Sequence, residues 1–151
     1  MASEPPNRVS RPGEVACGSD FHLPRAAHLR LEGHFPNTVG AGQNAVNGTV
    51  EVSADQAVKG MAAPAADAFL VRQGKVVTTP LPQDAMGVRF DLAAGETKSV
   101  EAMGSLVACG QASGHVPPGD YELYARFVLI PDDGEPATAF GGPWPLAVTA
   151  Q

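Results

Sequence analysis

The sequence lacks the features that would assign it to a helical, membrane-spanning or nucleic-acid-binding class. Lysine is scarce, and no stretch combines helix-forming residues with a 3.6-residue period. No apolar run approaches the roughly 18 residues that a transmembrane helix requires. The net charge is −6, which argues against nucleic acids and anionic membranes as partners, because both bind basic surfaces, and the lack of an apolar run argues against membrane insertion.

Glycine and proline are abundant, in contrast to lysine. The 151 residues include 17 glycines and 14 prolines, a level suited to short strands joined by tight turns, and 44% of the chain is hydrophobic. A chain of this length forms one domain that buries roughly two-thirds of its unfolded surface. The composition therefore predicts a single all-β domain.

The first 16 residues are polar and rich in proline, and they contain no apolar core of the kind that a signal peptide needs. We expect residues 1–16 to form a mobile leader and residues 17–151 to form the domain. Two locations stay open at this point. The protein is cytosolic, or it is exported and its signal has been removed.

Cys17 and Cys109 are the two cysteines, and neither belongs to a cluster with zinc-ligand spacing. One disulfide between the leader junction and the body is the simplest interpretation in a β-rich chain, and it favours a secreted or cell-envelope location. Such a bond closes a loop of about 90 residues. By restricting the unfolded chain, it stabilises the fold by roughly 4 to 5 kcal/mol. Two buried free thiols in a cytosolic protein, and a lipid attached to Cys17, are the alternatives.

Alternating apolar and polar residues predict most of the strands. Residues 28–35 alternate, and the alternation in 45–53 continues through Asn47-Gly48, so we predict one strand there instead of a hairpin. Gln73-Gly74 forms the tip of a predicted hairpin, whereas the Ala-rich stretch 54–66 is compatible with a short helical turn.

The second half follows the same pattern. Strands are predicted at 88–92, from about 97 to 109 and at 121–130. A last strand carries Trp144, and prolines at 143 and 145 restrict it to an edge or a strand end because proline donates no ladder hydrogen bond. The total is seven or eight strands.

The stretch "PPGDYELYARF" places a tyrosine directly after a hard turn, at the start of a regular strand. This layout predicts a tyrosine corner, in which the Tyr121 hydroxyl bonds a backbone group near the turn as the chain crosses between two sheets. It resembles the "L-x-P-G-x-x-Y" corner of fibronectin type III domains, one residue shorter. The fold expected is an all-β, Greek-key immunoglobulin or fibronectin type III-like β-sandwich of seven to eight antiparallel strands.

A wider resemblance covers roughly residues 45 to 130. "VNGTVEV", "FLVRQGKVVTTP", "FDLAAGETKSVEA", "SLVAC" and "PPGDYELYARF" occur in an order similar to that of actinobacterial exported immunoglobulin-like domains of unknown function. BsuPI-like proteinase-inhibitor domains are distantly similar in the same turns, although Ala94 replaces their usual proline. These motifs are turns and core strands, so the resemblance implies a fold and an exported location.

Several residues suggest chemistry but lack its spacing. His28 and His34 are about 20 Å apart along a strand, too far to share one metal ion without other ligands. Copper ligation would draw on Cys109, His115 and the methionines 61, 86 and 103, but no methionine follows Cys109 in a short loop.

Catalytic signals are equally incomplete. Ser113 and His115 lie in a predicted loop without a nucleophile motif, and Asp132-Asp133 belongs to an ordinary turn with at most a weak calcium site. No nucleophile, base and orienting group converge, so we expect neither an enzyme nor a bound cofactor.

Surfaces carry the remaining hypotheses. Trp144 is expected to close one end of the core, and its alternative is a candidate binding patch formed with Phe140. The favoured function is a non-catalytic, exported, monomeric module that binds a protein or a glycan through loops or a sheet edge. A proteinase inhibitor that presents loop 77–87 is one alternative. The other is a structural domain of a larger secreted protein.

Overall fold

The computed structural model describes residues 15–23, 29–78, 87–109, 114–134 and 137–150, and within these ranges it contains ten β-strands and no helix. The all-β prediction is confirmed. The strands are β1 (Leu29–His34), β2 (Thr38–Gly40), β3 (Ala45–Ala54), β4 (Val58–Ala62), β5 (Ala66–Arg72), β6 (Lys75–Val76), β7 (Val88–Leu92), β8 (Thr97–Ser105), β9 (Gly119–Pro131) and β10 (Ala137–Thr149).

The strands form one mixed sheet that curls into a half-barrel. Its main path is β1-β3-β8-β5-β9-β10-β2, β4 joins β9 and carries β7, and β6 pairs with β5. Two pairings, β5 with β8 and β10 with β2, are parallel, so the sheet is not wholly antiparallel as the sequence predicted. The described strands also exceed the predicted seven or eight. The additional ones, β2 and β4, are short and lie in weakly patterned stretches.

Strand β3 runs unbroken through Asn47-Gly48, as predicted. Its register with β8 continues from Ala45 opposite Ser105 to Ser53 opposite Thr97. Gly48 is needed for packing and not for a turn, because a Cβ atom at this position would lie 2.5 Å from the Phe35 ring. The dipeptide that usually signals a hairpin therefore provides room for an aromatic side chain from the neighbouring segment.

The hairpin predicted between β5 and β6 is also present. Gln73 and Gly74 have φ angles of 55° and 79°, and these two positive values are what a two-residue type I′ turn requires. The turn returns the chain beside β5, where Val76 pairs with Val71. Arg72 and Lys75 lie opposite each other, directly before and after the turn.

Strand β5 is buried on both faces, which the sequence did not predict. Ala68 and Leu70 face the interior of the half-barrel, whose core is built from the inward residues of the other long strands. Phe69 and Val71 face outward into a separate cluster that Phe21 covers. The outer face of the sheet therefore has an apolar core of its own beneath the segment that precedes β1.

Residues 15–23 follow β6 as an irregular extra strand. The amide of Gly18 donates to the Val76 carbonyl at 2.9 Å, and the amide of Phe21 donates to the Gly74 carbonyl at 2.8 Å. In return the Val76 amide donates to the Ser19 carbonyl. These bonds fix the segment on the outer face and place Cys17 beside the body of the domain.

An ion pair lies in the same outer layer. Arg126 Nη2 is 2.9 Å from Asp67 Oδ2, and the two side chains are 19% and 2% exposed. The sequence pattern of β9 does not predict the burial of Arg126. Burial follows from the pairing of β9 with β5, which places Asp67 directly opposite Arg126.

Candidate functional site

Cys17 and Cys109 form a disulfide, which confirms the predicted pairing. Their Cα atoms are 5.6 Å apart, and 92 positions separate them in sequence. Cys109 follows β8, and its amide donates to the Val77 carbonyl at 3.0 Å. The bond thus ties residues 15–23 to the end of the β5–β6 hairpin.

Tyr121 lies beside this disulfide at the start of β9. Its hydroxyl donates to the carbonyl of Pro117, four residues earlier, which is the backbone bond expected of a tyrosine corner. The same hydroxyl accepts a hydrogen bond from Arg72 Nη1 at 3.3 Å. The Arg72 guanidinium also lies over the phenol ring, 5.0 Å from its centroid.

Replacing Tyr121 with phenylalanine tests this corner. We expect the free energy of unfolding to fall by about 1–2 kcal/mol, because the Pro117 carbonyl loses its hydroxyl partner. Urea denaturation followed by circular dichroism measures the change. Tyr124→Phe is the matched control. The burial that raises the pKa of Tyr124 surrounds a hydroxyl with no hydrogen bond to the described residues, so its loss should change stability by under about 0.5 kcal/mol. Equal losses in the two variants would contradict the assignment.

A cleft of about 320 Å³ opens between the tyrosine corner and the disulfide. Its walls are mostly apolar, and they come from the β6 end, the residues after β8 and the turn before β9. The apolar lining residues are Val76, Val77, Ala108, Cys109, Val116 and Pro117. Arg72, Lys75, Gly18 and Tyr121 complete the lining. No carboxylate is among these residues.

The two cations that line the cleft differ in their partners. Lys75 Nζ donates to Asp20 Oδ1 at 2.8 Å, and this bond lowers the pKa of Asp20 below its ordinary value. At neutral pH the Lys75 charge is therefore matched. The ion pairs found among the described residues include none for Arg72, whose contacts are to Tyr121.

The sequence did not predict this cleft or the role of Arg72. Each wall is local in sequence, but the walls meet through long-range contacts, namely the β5–β9 pairing, the disulfide and the backbone bridges Thr78–Ala108 and Val107–His115. The available signals were Cys109 and Tyr121, which were identified for their structural roles. Gly119 is a further contributor, because a Cβ atom there would lie 3.0 Å from Arg72 Nη2.

Trp144 and Phe140 do not form a common patch. A bulge between Gly141 and Trp144 adds one residue to β10, so Phe140 and Trp144 face opposite sides of the sheet. Trp144 is half-buried and packs against both interior clusters, with its ring 5.7 Å from that of Phe35. Phe140 packs in the outer layer, 5.5 Å from Phe21.

The histidine candidates have other partners or lie outside the described residues. His34 Nε2 is 3.4 Å from Glu51 Oε1, and His115 Nε2 hydrogen bonds with Asn44 Oδ1 at 2.8 Å. His28, Met86 and Ser113 fall outside the described residues. In the ranges that the structure covers, no three histidine, cysteine or acidic side chains lie close enough together to hold a metal ion.

Asp132, the candidate calcium ligand, binds a guanidinium instead. Arg89 Nη1 and Nη2 donate to its two carboxylate oxygens at 2.9 Å and 2.6 Å. This bidentate pairing lowers the pKa of Asp132 and raises the pKa of Arg89.

The proposed inhibitory loop, residues 77–87, cannot be located, because residues 79–86 lie outside the described part of the chain. Among the described residues no helix could cross a bilayer.

Comparisons with known proteins give only distant likenesses. No protein-family profile matches the chain, and no protein of curated function matches it. Among solved structures, the sporulation control protein Spo0M from Bacillus subtilis is 13% identical, with a TM-score of 0.45 over 83% of this chain and 51% of that chain.

Two further structures are similarly remote. A beta-glucosidase from Listeria innocua in complex with glucose is 16% identical, with a TM-score of 0.42 over 80% of this chain and 16% of that chain. The alkylpurine DNA glycosylase AlkC from Pseudomonas fluorescens, bound to DNA containing an abasic site analog, is 14% identical. Its TM-score is 0.41 over 82% of this chain and 31% of that chain. The chain thus spans about half of Spo0M and less of the other two, and similarity at this level carries no functional assignment.

Proposed function

We propose that the chain is a non-catalytic binding module that works outside the cytoplasm and takes its ligand in the cleft beside the disulfide. The observation that carries the proposal is the cleft itself. Its volume of about 320 Å³ is at the lower end of the range typical of small-molecule sites. Its apolar walls and one exposed guanidinium are the combination that such sites use for affinity and orientation.

The disulfide supports the location. Bonds of this kind persist in oxidising compartments and are rare in the cytosol of most organisms. Cys17–Cys109 also forms part of the cleft, because Cys109 is one of its lining residues. An exported protein would keep this wall intact, whereas a reducing compartment would open it.

The finer description of the fold is part of the same proposal. We interpret the half-barrel as a variant of the Greek-key sandwich of immunoglobulin and fibronectin type III domains. The Tyr121 corner bond and the interior core that lies between facing strands support this interpretation.

A fragment screen by nuclear magnetic resonance tests the binding proposal. We expect a mixture of small apolar and amphipathic fragments to shift the amide signals of Val76, Val77 and Ala108 in preference to those elsewhere. Ala108→Phe should abolish these shifts, because the ring fills the cleft. Ala57→Phe adds the same ring at an exposed position and should leave the shifts unchanged. Shifts that scatter over the surface, or that survive in Ala108→Phe, would contradict the proposal.

A further inference from the structure

Arg72 is held at the cleft by two contacts to Tyr121 and fits into the space beside Gly119. Its guanidinium lies over the Tyr121 ring and donates to the Tyr121 hydroxyl, which itself donates to Pro117. Gly119 leaves the space that the guanidinium occupies, since a Cβ atom there would lie 3.0 Å from Arg72 Nη2. A planar group fixed in this way needs little reordering when it binds a ligand.

The charge of Arg72 is not neutralised by an ion pair within the described residues, unlike that of the other three arginines there. Arg30, Arg89 and Arg126 each pair with an aspartate, and Lys75 pairs with Asp20. A guanidinium has five N–H donors, and Arg72 gives one of them to Tyr121. The charge of Arg72 is therefore available to an anionic ligand, even though the net charge of the chain is −6.

The chemistry of the cleft then defines its ligand. The walls beside Arg72 are apolar, and the lining residues that the structure describes include no carboxylate that would repel an anion. A single guanidinium suits a singly charged carboxylate, because its fork matches the two carboxylate oxygens. A phosphate dianion would require more positive charge than one arginine beside an already paired lysine supplies.

We propose that the cleft binds a small organic acid, with the carboxylate on Arg72 and a compact apolar group against Val76, Val77 and Val116. This inference rests on the proposed function and adds to it the class of ligand. The same chemistry could come from a free acid or from the carboxyl-terminal residue of a peptide. The volume of about 320 Å³ favours the free acid, because it accommodates a small molecule without requiring further residues of a peptide.

The test uses hexanoate, 1-hexanol and hexylamine, which share one chain and differ in charge. We expect hexanoate to shift the cleft amide signals with a dissociation constant roughly tenfold or more below that of hexanol, the effect typical of a charge-assisted hydrogen bond. Hexylamine should bind more weakly than hexanol. Added salt should narrow the difference between acid and alcohol, because it screens an exposed charge.

Variants connect this preference to Arg72. Arg72→Gln should remove the preference for hexanoate while leaving the binding of hexanol unchanged, a result that a merely structural role of Arg72 would not produce. Arg30→Gln is the matched control, because it removes the same charge from β1, three strands from β5. It should retain the full preference. Gly119→Ala, which would displace the guanidinium without changing the charge, should weaken hexanoate binding alone.

The outcomes separate this inference from the proposed function. Equal binding of hexanoate and hexanol in the cleft would overturn the acid preference and leave the binding module in place. No binding of any probe would overturn both. A preference that survives Arg72→Gln would assign the carboxylate to another group and overturn the inference.

A peptide arm distinguishes the two sources of the acid. The probe is acetyl-Ala-Ala-Val-Leu, compared with its C-terminal amide. Binding weaker than that of hexanoate would support the free acid. Binding tighter than that of hexanoate, and lost in the amide, would retain the carboxylate chemistry but overturn the choice of a free acid.

Discussion

Replacing Cys17 and Cys109 together with serine should lower the free energy of unfolding by roughly 4–5 kcal/mol. The bond closes a loop across 92 positions, so its removal returns a large conformational entropy to the unfolded chain. This loss is a large share of the stability of a typical domain. The variant should therefore unfold at a much lower urea concentration than the native protein.

The loss should also have a local component. Residues 15–23 are fixed by a few backbone bonds to β6 and by the packing of Phe21 against Phe69 and Tyr124. Without the covalent tie, these contacts alone must order the segment. Amide hydrogen exchange should therefore accelerate first at Gly18 and Phe21, whose amides donate to β6 and the hairpin tip.

Urea denaturation at equilibrium measures the global effect. The native protein, the native protein after reduction and alkylation, and the double serine variant are compared. The two forms without the bond should agree in midpoint, and both should show a larger dependence on urea because their unfolded chains are more expanded. An unchanged midpoint would show that the disulfide contributes little. It would also weaken the argument for an oxidising compartment.

Regular alternation is the part of the fold that the sequence predicted well. Strands β3 and β9 and the β5–β6 hairpin have strong local patterns, and each is found where it was predicted. Strand β2 was missed because three residues between turn-forming stretches contain no period. Strand β4 was missed because alanine and glycine dominate a stretch that forms a strand only through pairing with β7 and β9.

The candidate site shows the same difference between features with a local sequence pattern and features that depend on long-range contacts. Cys17 and Cys109 could be paired from composition alone, and the Tyr121 corner is encoded in five consecutive residues. Arg72 could not be identified, because its importance comes from Tyr121 and Gly119, which lie almost fifty positions away. The parallel pairing of β5 with β8, on which the position of the hairpin depends, also has no local signal.

The bulge in β10 gives a further example. The alternating residues Trp144, Leu146 and Val148 share one face by spacing, and the structure places all three inward. Phe140 would share that face by even spacing, but the extra residue before Trp144 reverses the order. A bulge cannot be located from period-two spacing, so the candidate patch of Phe140 and Trp144 was a reasonable but unsupported interpretation.

Replacing Trp144 with alanine should cost about 3 kcal/mol of stability, the lower end of the range for large aromatic residues in a core. Its ring lies between two glycines, and a Cβ atom at Gly33 or Gly141 would be 2.8 Å from ring atoms. Gly33 belongs to β1 and Gly141 to β10, which are not paired by a ladder along the sheet. The indole therefore closes the half-barrel where hydrogen bonds do not.

Far-ultraviolet circular dichroism in urea is the measurement for this variant, because the chain has no other tryptophan for fluorescence. Met103→Ala is the matched control. The Met103 side chain is 44% exposed on β8, and its truncation should change stability by less than about 0.5 kcal/mol. A loss below about 1 kcal/mol for Trp144→Ala would show that the indole is not needed to hold β1 against β10. Binding of a partner would then be the alternative role for Trp144, because the indole would contribute little to stability.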